Sequence, residues 1–435
     1  FLLESVEGGE RQARYTFMGT EPYRILRTGP GTDEGEIDPL TRIESELGSY
    51  AVGSLPGLPR FTGGAIGYLA YECARYSEPR IPAPELDPLG VPESILMFTD
   101  TVLVFDHVKH VIMVVSHVHV SRDLPQEYSA AIERIERLVS RLSEPLKVTP
   151  KPMITSKNQS GPVSNMTQNE YEEIVKQVKA YIVAGDVIQV VPSHRLSQPT
   201  SADPFDVYRA LRALNPSPYM FFLALDEFHI IGASPETLVR VENGTIYNFP
   251  LAGTIRRGDT EEEDNYLAQK LREDEKEQAE HIMLVDLGRN DLGRVAEPGS
   301  VTVTDFMRVV RYSHVMHLES EIHGKLRSDK SIYDAVRACL PAGTLSGAPK
   351  IRAMEIIADL EGQRRGIYGG AVGYFGFQDS MDVCIPIRTV IQKDGVAHVQ
   401  AGAGIVYDSQ PESEYKETMV KAQAPLRAIQ KAELI

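Results

Sequence analysis

The sequence predicts an α+β protein built on antiparallel sheets, and three observations lead to this class. Two apolar runs, VLVF and VIMVVSHVHV, are joined across DHVKH and predict a β-hairpin within residues 101–120. Further strand-length apolar runs follow after residue 186, with the segments of helical periodicity grouped between them. No unit of roughly 20–50 residues repeats. Long series of strands with helices grouped between them are typical of α+β proteins.

Residues 1–142 form the first predicted domain, in which short β-like runs alternate with turns rich in Gly and Pro. A helix is predicted over residues 126–142, where apolar positions recur at helical spacing. These positions are Ile132, Ile135, Leu138, Val139 and Leu142. Residues 143–168 lose this periodicity and gather Pro, Ser, Lys and Asn, so we interpret them as a linker. Residues 169–435 form the second predicted domain.

The helices of the second domain carry clear start and stop signals. A capping box at Thr167 and Glu170 begins a helix that Gly185 ends, and Asp203 with Pro204 begins another as N-cap and first-turn residue. Predicted strands span residues 186–196, 221–224, 230–233, 238–241, 246–249, 372–376, 383–391 and 396–401. The remaining predicted helices span residues 262–287, 331–340, 349–360 and 413–430, the last with Pro425 inside it.

Composition indicates an ordinary soluble globular protein without nucleic-acid or membrane partners. Of the 435 residues, 42% are hydrophobic and 24% are charged, and the length suggests about two or three domains. The net charge of −16 disfavours nucleic-acid backbones and anionic membranes as partners. The longest apolar runs, such as Val111 to Val115, fall far short of the roughly 20 residues that a membrane span needs.

The cysteines and the first residues of the chain provide information about the cellular compartment of the protein. Three cysteines distant in sequence, Cys73, Cys339 and Cys384, argue for a reducing, cytoplasmic compartment rather than a disulfide framework. The chain opens on FLLES, with neither Met nor a targeting signature, so we expect a short N-terminal piece to precede it.

Two acidic helical stretches are the first candidate functional feature. Glu277 and Glu280 stand three residues apart, so they are neighbours on a helix whose same side continues into Leu284 and Leu287. Such carboxylates lie at the edge of a buried region, where they must be paired, protonated or bound to a cation. Glu414 and Glu417 repeat the spacing near the C-terminus. Four carboxylates from two helices would suit Mg²⁺, which prefers oxygen ligands, although each pair taken alone is also ordinary for an exposed helix.

Four glycine-rich turns are the second candidate feature. They are LAGT at residues 251–254, AGTLSGAPK at 342–350, YGG at 368–370 and QAGAGI at 400–405. Glycines at strand ends let ligand oxygens approach backbone N–H groups, and Arg388 and Lys421 offer positive charge for carboxylates. Any one of these clusters alone is more simply a tight turn, but their combination with two acidic helices favours a binding site.

Taken together, these motifs resemble the chorismate-utilising enzymes, and among them the large subunits of anthranilate synthases. The stretches that carry the resemblance are DEKEQAEHIMLVDLGRNDLGRV, PAGTLSGAPKIRAMEII and QAGAGIVYDSQPESEYKET, with a weaker match in LLES and GGAIGYLAYE. The resemblance implies a two-lobed β-sandwich of antiparallel sheets flanked by outer helices. It also implies that residues 1–142 are regulatory and that residues 169–435 are catalytic.

The resemblance further implies roles for individual residues. Glu280 and Glu417 would hold Mg²⁺ directly, and Glu277 and Glu414 would support it through water. The residues implied as catalytic are Glu236, a general acid for the departing C4 hydroxyl of chorismate, together with His317 and Thr344. The residues implied to bind substrate are Gly253, Thr254, Tyr368, Arg388, Gly402, Ala403, Gly404 and Lys421.

Two positions distinguish among members of that family. Isochorismate-forming relatives activate water with a lysine where this chain has Gln189, and aminodeoxychorismate synthases often carry a nucleophilic lysine where it has Ala252. The resemblance therefore implies that ammonia attacks C2 of chorismate and that loss of pyruvate then gives anthranilate. Aminodeoxychorismate synthesis, and a catalytically silent tryptophan sensor with the same fold, stay open as alternatives.

The resemblance also implies two partners. None of the three cysteines lies in a Gly-x-Cys-x-Gly elbow, so we expect a separate glutamine amidotransferase subunit, component II, to supply the ammonia. L-Tryptophan is the expected feedback inhibitor. Its expected pocket consists of Leu3, Glu4, Ser5, Asn215, Pro218, Tyr219, Met220 and Cys384.

Overall fold

The computed structural model describes residues 1–6, 14–53, 55–120, 123–145, 161–312 and 315–434. Most of the predicted linker, residues 146–160, lies outside the described residues. The described strands form two large antiparallel sheets and one two-stranded pair. The predicted α+β class, with antiparallel sheets, is confirmed.

The first sheet contains β1 (Leu2–Glu4), β2 (Tyr15–Met18), β6 (Thr101–Asp106), β7 (Val111–Ser116), β8 (Val163–Ser164), β10 (Ser193–Pro199), β11 (Tyr219–Leu225), β12 (Phe228–Ser234), β21 (Thr389–Lys393) and β22 (Val396–Gly402). The second contains β3 (Arg24–Thr28), β4 (Gly64–Leu69), β5 (Ser94–Thr99), β13 (Thr237–Glu242), β14 (Thr245–Asn248), β15 (Leu251–Arg256), β16 (Thr302–Arg311), β17 (Val315–Lys325), β19 (Ala371–Gly376) and β20 (Met381–Cys384). The pair is β9 (Gln189–Val190) with β18 (Gly347–Ala348).

The described helices are α1 (Pro39–Leu47), α2 (Leu124–Ser143), α3 (Gln168–Ala184), α4 (Pro204–Leu214), α5 (Glu261–Glu273), α6 (Glu275–Gly293), α7 (Ile332–Cys339), α8 (Lys350–Glu361) and α9 (Pro411–Ala432). Two short 3₁₀ turns span Tyr71–Tyr76 and Gly343–Leu345.

Each large sheet mixes strands from both ends of the chain. In the first sheet β1 lies between β2 and β11, with Leu3 opposite both Phe17 and Phe221. In the second sheet β19 lies between β4 and β20. Residues 1–142 and 169–435 therefore build one pair of sheets together.

The two sheets pack face to face, as the resemblance implies. Their shared core joins Phe17 and Phe221 of the first sheet to Ile66 and Tyr374 of the second. Separate apolar clusters pack α4 and α9 on the outer face of the first sheet, and α1, α6 and α7 on that of the second. The architecture is a β-sandwich with helices outside.

Local helix signals in the sequence are confirmed by the structure. Thr167 and Glu170 form both hydrogen bonds of the capping box of α3, and Gly185 ends that helix in a left-handed conformation with φ 83°. Asp203 caps α4 by accepting from the N–H of Phe205. The predicted hairpin is present, with Thr101 opposite Ser116.

Three predicted continuous elements are each broken in the structure. The strand predicted over residues 186–196 divides into β9 and β10 around Pro192, which lacks the N–H that a central ladder needs. The helix predicted over 262–287 divides at Asp274, which caps the start of α6. The strand predicted over 383–391 divides because β20 belongs to the second sheet and β21 to the first. The long hairpin of β16 and β17 was not predicted, because β17 buries polar residues such as Glu319 and Ser320.

Candidate active site

Two segments that cross between the sheets form the centre of the site. One connects β12 to β13 and carries Glu236, and the other connects β20 to β21 and carries Arg388. Hydrogen bonds tie the crossings together, from the N–H of Ile385 to Glu236 O at 3.0 Å and from the N–H of Ala233 to Arg388 O at 3.3 Å. Arg388 has a φ of 50°, an unusual left-handed conformation for a residue with a side chain. The crossings thus hold a carboxyl group and a guanidinium group close to each other.

Glu236 is a buried carboxyl group whose pKa is raised toward neutrality. Its Oε1 accepts a hydrogen bond from Thr344 Oγ1 at 2.9 Å. Burial raises the pKa of Glu236 to about 7, against the smaller lowering effects of Thr344, Arg388 and Lys421. A carboxyl with this pKa keeps its proton for a large fraction of the time near neutrality, as a general acid requires.

His317 on β17 faces the turn at Gly253. Its Nδ1 lies 2.6 Å from Gly253 O and 3.1 Å from Thr254 Oγ1, so Nδ1 carries a proton and donates to the carbonyl. Burial lowers the pKa of His317 to about 4, with Arg388 as a further cause, so the ring is neutral near pH 7. Its Nε2 is buried and lacks a hydrogen-bond partner. This nitrogen therefore offers a free lone pair.

Tyr368 and Lys421 meet the glycine-rich end of β22. A Cβ on Gly402 would come 3.1 Å from the Tyr368 hydroxyl. Glycine at this position therefore leaves space beside that hydroxyl. The Lys421 ammonium donates to Gly402 O at 3.1 Å and pairs with Glu417 at 2.8 Å. The N–H of Ala403 is already used, because it donates to Pro192 O at 3.2 Å.

The four candidate metal ligands lie on two helices, as predicted, and their chemistry fits a divalent cation. Burial raises the pKa of Glu277 and of Glu414, and each is raised further by a carboxylate partner, Glu280 or Glu417. Glu417 also raises the pKa of Glu277, so carboxylates on the two helices are close enough to repel each other. Repulsion of this kind is what a bound cation relieves.

The coordination sphere itself is not assembled. Among the residues that the structure describes, no group of three or more His, Cys, Asp or Glu side chains is placed to hold a metal ion. The ligand set stays a prediction, with Glu417 held by Lys421 and Glu280 accepting from Gln189 Nε2 at 3.4 Å.

Gln189 and the glycines beside it show why small residues are needed here. A Cβ on Gly404 would come 2.6 Å from Gln189 Nε2, and one on Gly253 would come 3.0 Å from Glu277 Oε2. Gly253 also has a φ of 64°, which favours glycine. The amide of Gln189 therefore fills the space between the 402–404 turn and the acidic helix α6.

Most of the residues expected to bind tryptophan meet in a second cavity, which lies between the two sheets of the sandwich. Leu3, Glu4, Ser5, Pro218, Tyr219, Met220 and Cys384 line it, whereas Asn215 does not. The Glu4 carboxylate is engaged on the outer side, where it accepts from Tyr208 Oη and from Arg212 Nε of α4. Contact of Glu4 with a ligand in this cavity would therefore involve its backbone.

A polar group at this cavity was not found from the sequence. Asp382 accepts from Tyr219 Oη at 2.8 Å and from Arg240 Nε at 3.0 Å, and it lies 3.3 Å from Arg60. All four residues line the cavity. Tyr219 was expected at this cavity, but Arg60, Arg240 and Asp382 are far apart in sequence and belong to no motif. Only the register that sets Arg240 opposite Asp382 could have revealed that pair.

Comparison with known proteins places these features in a family. The sequence matches the profile of chorismate binding enzymes over residues 1–427. Anthranilate synthase component 1 of Acetivibrio thermocellus is 48% identical, covering 99% of this chain and 90% of the relative. The same component of Saccharomyces cerevisiae is 45% identical, covering 100% of this chain and 86% of the relative.

Solved structures agree on the fold. Anthranilate synthase component I from Streptococcus pneumoniae superposes with a TM-score of 0.83 at 39% identity, covering 95% of this chain and 92% of that one. The isochorismate synthase MenF of Escherichia coli shares the fold at 19% identity and a TM-score of 0.74, covering 98% of this chain and 87% of its own. Within the described residues, none of the helices combines the length and the apolar character that crossing a membrane requires.

Proposed function

This chain belongs to the chorismate binding enzymes, and we propose that it converts chorismate to anthranilate as the synthase component of an anthranilate synthase. Relatives of that name match it from end to end at 44–48% identity. The single structural observation that supports the proposal is Glu236, a buried acid with a pKa of about 7 on one of the two segments that cross between the sheets. The free cysteines, all buried, suit a reducing cytoplasm.

Each carboxylate of chorismate is assigned to protein groups that can bind it, on the basis of their charge and position. Arg388 and Tyr368 receive the enolpyruvyl carboxylate, since the half-buried Arg388 guanidinium has a pKa lowered by desolvation and needs an anion beside it. Lys421 and the backbone of Gly402 and Gly404 receive a further carboxylate oxygen. Mg²⁺, held by Glu280 and Glu417 with Glu277 and Glu414 through water, would neutralise the ring carboxylate when bound.

Proton transfer is assigned to Glu236. Its carboxylic acid, oriented by Thr344, gives a proton to the departing C4 hydroxyl, which leaves as water while ammonia attacks C2. Neutral His317 lines the ring side of the pocket and keeps Nε2 as an acceptor. Loss of pyruvate from the aminated ring then gives anthranilate.

The choice of nucleophile follows from what the pocket lacks. Ala252, at the buried end of β15, has no amine to attack C2, and the amide of Gln189 cannot act as a base for water. Ammonia needs neither group, because its neutral form is already a nucleophile. A glutamine amidotransferase partner would supply it, and tryptophan would inhibit from the sandwich cavity.

One assay tests the proposal. The purified chain, given chorismate, Mg²⁺ and an ammonium salt, should release anthranilate, which is detected by its fluorescence, and chromatography should show neither isochorismate nor an accumulating aminodeoxychorismate. Absence of anthranilate with tryptophan binding intact would instead support the silent sensor, and accumulation of the 4-amino product would support aminodeoxychorismate synthesis.

A further inference from the structure

Arg365 is a buried charge, and each of the three nitrogens of its guanidinium donates at least one hydrogen bond. It is 1% exposed and precedes Gly366 between α8 and β19. Its Nε donates to Glu361 Oε2 at 2.9 Å, its Nη1 to Leu345 O at 2.6 Å, and its Nη2 to Val191 O at 2.6 Å. Nη2 also reaches Glu361 Oε1. Two of these partners are backbone carbonyls on segments far apart in the chain.

Each partner belongs to a segment that carries part of the active site. Leu345 follows Thr344, the residue that hydrogen-bonds Glu236. Val191 precedes Pro192, whose carbonyl accepts from the N–H of Ala403 in the glycine-rich turn. The guanidinium therefore connects the turn that orients the acid to the strand end that borders the substrate.

Glu361 extends the connection to β22. Its Oε1 accepts from the N–H of Ser193 at 2.7 Å and from Ser193 Oγ at 2.9 Å. Ser193 lies opposite Gly402 in the sheet, and its hydroxyl also accepts from Gln400 Nε2 at 2.8 Å. One carboxylate thus holds both Arg365 and the partner strand of the glycine-rich turn.

Aromatic rings and a second carboxylate complete the arrangement. The guanidinium carbon lies 5.7 Å from the centre of the Tyr368 ring and 4.6 Å from that of Tyr71. The carboxylate of Glu72 accepts from the backbone N–H of Arg365 at 2.7 Å and from that of Gly366 at 3.1 Å. Tyr368 therefore packs against a charge whose own backbone is fixed.

Stability alone does not explain this arrangement, because a buried ion pair is weak evidence for stabilisation and well-packed apolar residues often replace one without loss. We propose that Arg365, held by Glu361, is a positioning residue that sets Thr344, Tyr368 and the Gly402–Gly404 turn in one geometry around chorismate. The inference rests on the proposed function. It assigns to Arg365 no contact with the substrate.

The test replaces the planar guanidinium of Arg365 by the single ammonium group of lysine. Lysine carries one ammonium group, which cannot reach both carbonyls and both Glu361 oxygens, so Arg365→Lys should release the three segments from one another. A misplacement of about 1 Å can cost on the order of 100-fold in rate. We expect kcat/KM for chorismate to fall by about 100-fold, with at least about a tenfold rise in KM for chorismate.

The rise in KM separates positioning from folding. A variant that is only less stable has fewer active molecules, which lowers kcat and leaves KM unchanged. Folded fraction is measured by circular dichroism in the same buffer. Arg364→Lys is the matched control, since the hydrogen bonds of the neighbouring guanidinium within the described residues go to Glu93 and Pro84 O, which lie outside the site. It should keep kcat/KM within about twofold.

A second variant keeps the test decisive if Arg365→Lys does not fold. Glu361→Gln preserves side-chain shape but removes the charge that holds Arg365 and Ser193, and it should raise KM in the same direction. A folded variant with the KM of the unmodified chain would overturn the inference. Failure of the unmodified chain to make anthranilate would overturn the proposed function instead, so the two failures are distinguishable.

Discussion

At the scale of single residues, the environment of Glu236 decides its chemistry. Burial disfavours its anion, while Thr344, Arg388 and Lys421 favour it, and the balance leaves the pKa near 7. A carboxyl group of ordinary pKa would be ionised at neutrality and would have no proton to give. Burial is therefore what makes Glu236 suited to be the acid.

Glu236→Gln should remove the acid while preserving shape. A general acid typically contributes about 10²–10⁴-fold, so we expect kcat to fall by at least about 100-fold, with KM for chorismate changed far less. In the unmodified chain, kcat should decline as the pH rises through about 7, because Glu236 then loses its proton. A Gln variant that retains the full rate would contradict the assignment.

The same substitution should affect stability in a pH-dependent way. Below pH about 4.5 Glu236 is protonated in the folded and unfolded chains alike. Between that pH and about 7 only the folded chain keeps the proton, so the free energy of unfolding falls as the pH rises through this window. Gln has no proton to lose. Chemical unfolding should therefore show Glu236→Gln gaining stability relative to the unmodified chain between pH 4.5 and pH 8.

Removing a metal ligand should weaken binding of Mg²⁺ specifically. Glu280→Gln and Glu417→Gln each delete one anionic oxygen ligand, so the concentration of Mg²⁺ needed for half-maximal rate should rise at least tenfold, or activity should be lost. Calorimetric titration of Mg²⁺ into each variant measures binding without turnover. Glu412→Gln is the control, because this exposed residue of α9 pairs only with Lys416 among the ion pairs described. Equal Mg²⁺ affinity in all variants would disprove the ligand assignment.

At the scale of elements, helix α6 depends on the N-cap residue that precedes it. Asp274 ends α5 and caps α6 by accepting from the N–H groups of Lys276 and Glu277. This cap fixes where the turn carrying Glu277 and Glu280 begins. The break between the two helices is thus part of how the candidate metal site is positioned.

Asp274→Ala should loosen that turn. Loss of an N-cap costs about 0.5–2 kcal/mol of stability, which chemical unfolding would measure. Hydrogen exchange of the first amides of α6 should accelerate, and the requirement for Mg²⁺ should increase because Glu277 is less ordered. Asp274→Asn, which can still cap, should behave like the unmodified chain. Identical exchange in Asp274→Ala would show that α6 begins independently of its cap.

Elements with local signals were predictable from the sequence. The capping box of α3, the Asp-Pro start of α4 and the hairpin of β6 and β7 depend on neighbouring residues, and the structure confirms them. The crossing between β20 and β21 was not predictable, because apolar residues continue through it and only the partner strands show that it changes sheets. Hydrophobic periodicity contains no information about which sheet a strand joins.

The residues of the candidate site likewise fall into those that the sequence predicted and those that it did not. Motif glycines and paired glutamates were found because each has a fixed spacing, whereas Arg365 and Asp382 work through partners on distant segments. Their buried charges have no pattern in the sequence. The sequence also assigned Glu4 to the tryptophan pocket without showing that its carboxylate faces α4.

At the scale of the whole molecule, the sandwich cavity and the active site share structural elements. Cys384, at the end of β20, lines the cavity, and the crossing that carries Arg388 follows at once. Strand β19 likewise contributes Val372 and Tyr374 to the cavity and begins just after Tyr368. A ligand that moves either strand would therefore move a residue proposed to bind chorismate.

Tryptophan and chorismate should accordingly oppose each other's binding by the same factor. Linkage requires that if tryptophan weakens chorismate binding by a factor, chorismate weakens tryptophan binding equally, typically by 5–150-fold. Calorimetry with tryptophan in the presence of Mg²⁺ and the absence of ammonium, with and without saturating chorismate, measures one factor directly. Titration of chorismate with and without tryptophan measures the other.

Ser5→Ala should relieve this opposition without lowering the uninhibited rate, because Ser5 lines the cavity and lies far in the chain from both crossings. Ser129→Ala, at an exposed position of α2, is the control and should be inhibited like the unmodified chain. Unequal factors would mean that the two ligands do not act through one conformational equilibrium. If both Ser variants are inhibited equally, the regulator binds elsewhere, and the sandwich cavity would have no part in the control of the enzyme.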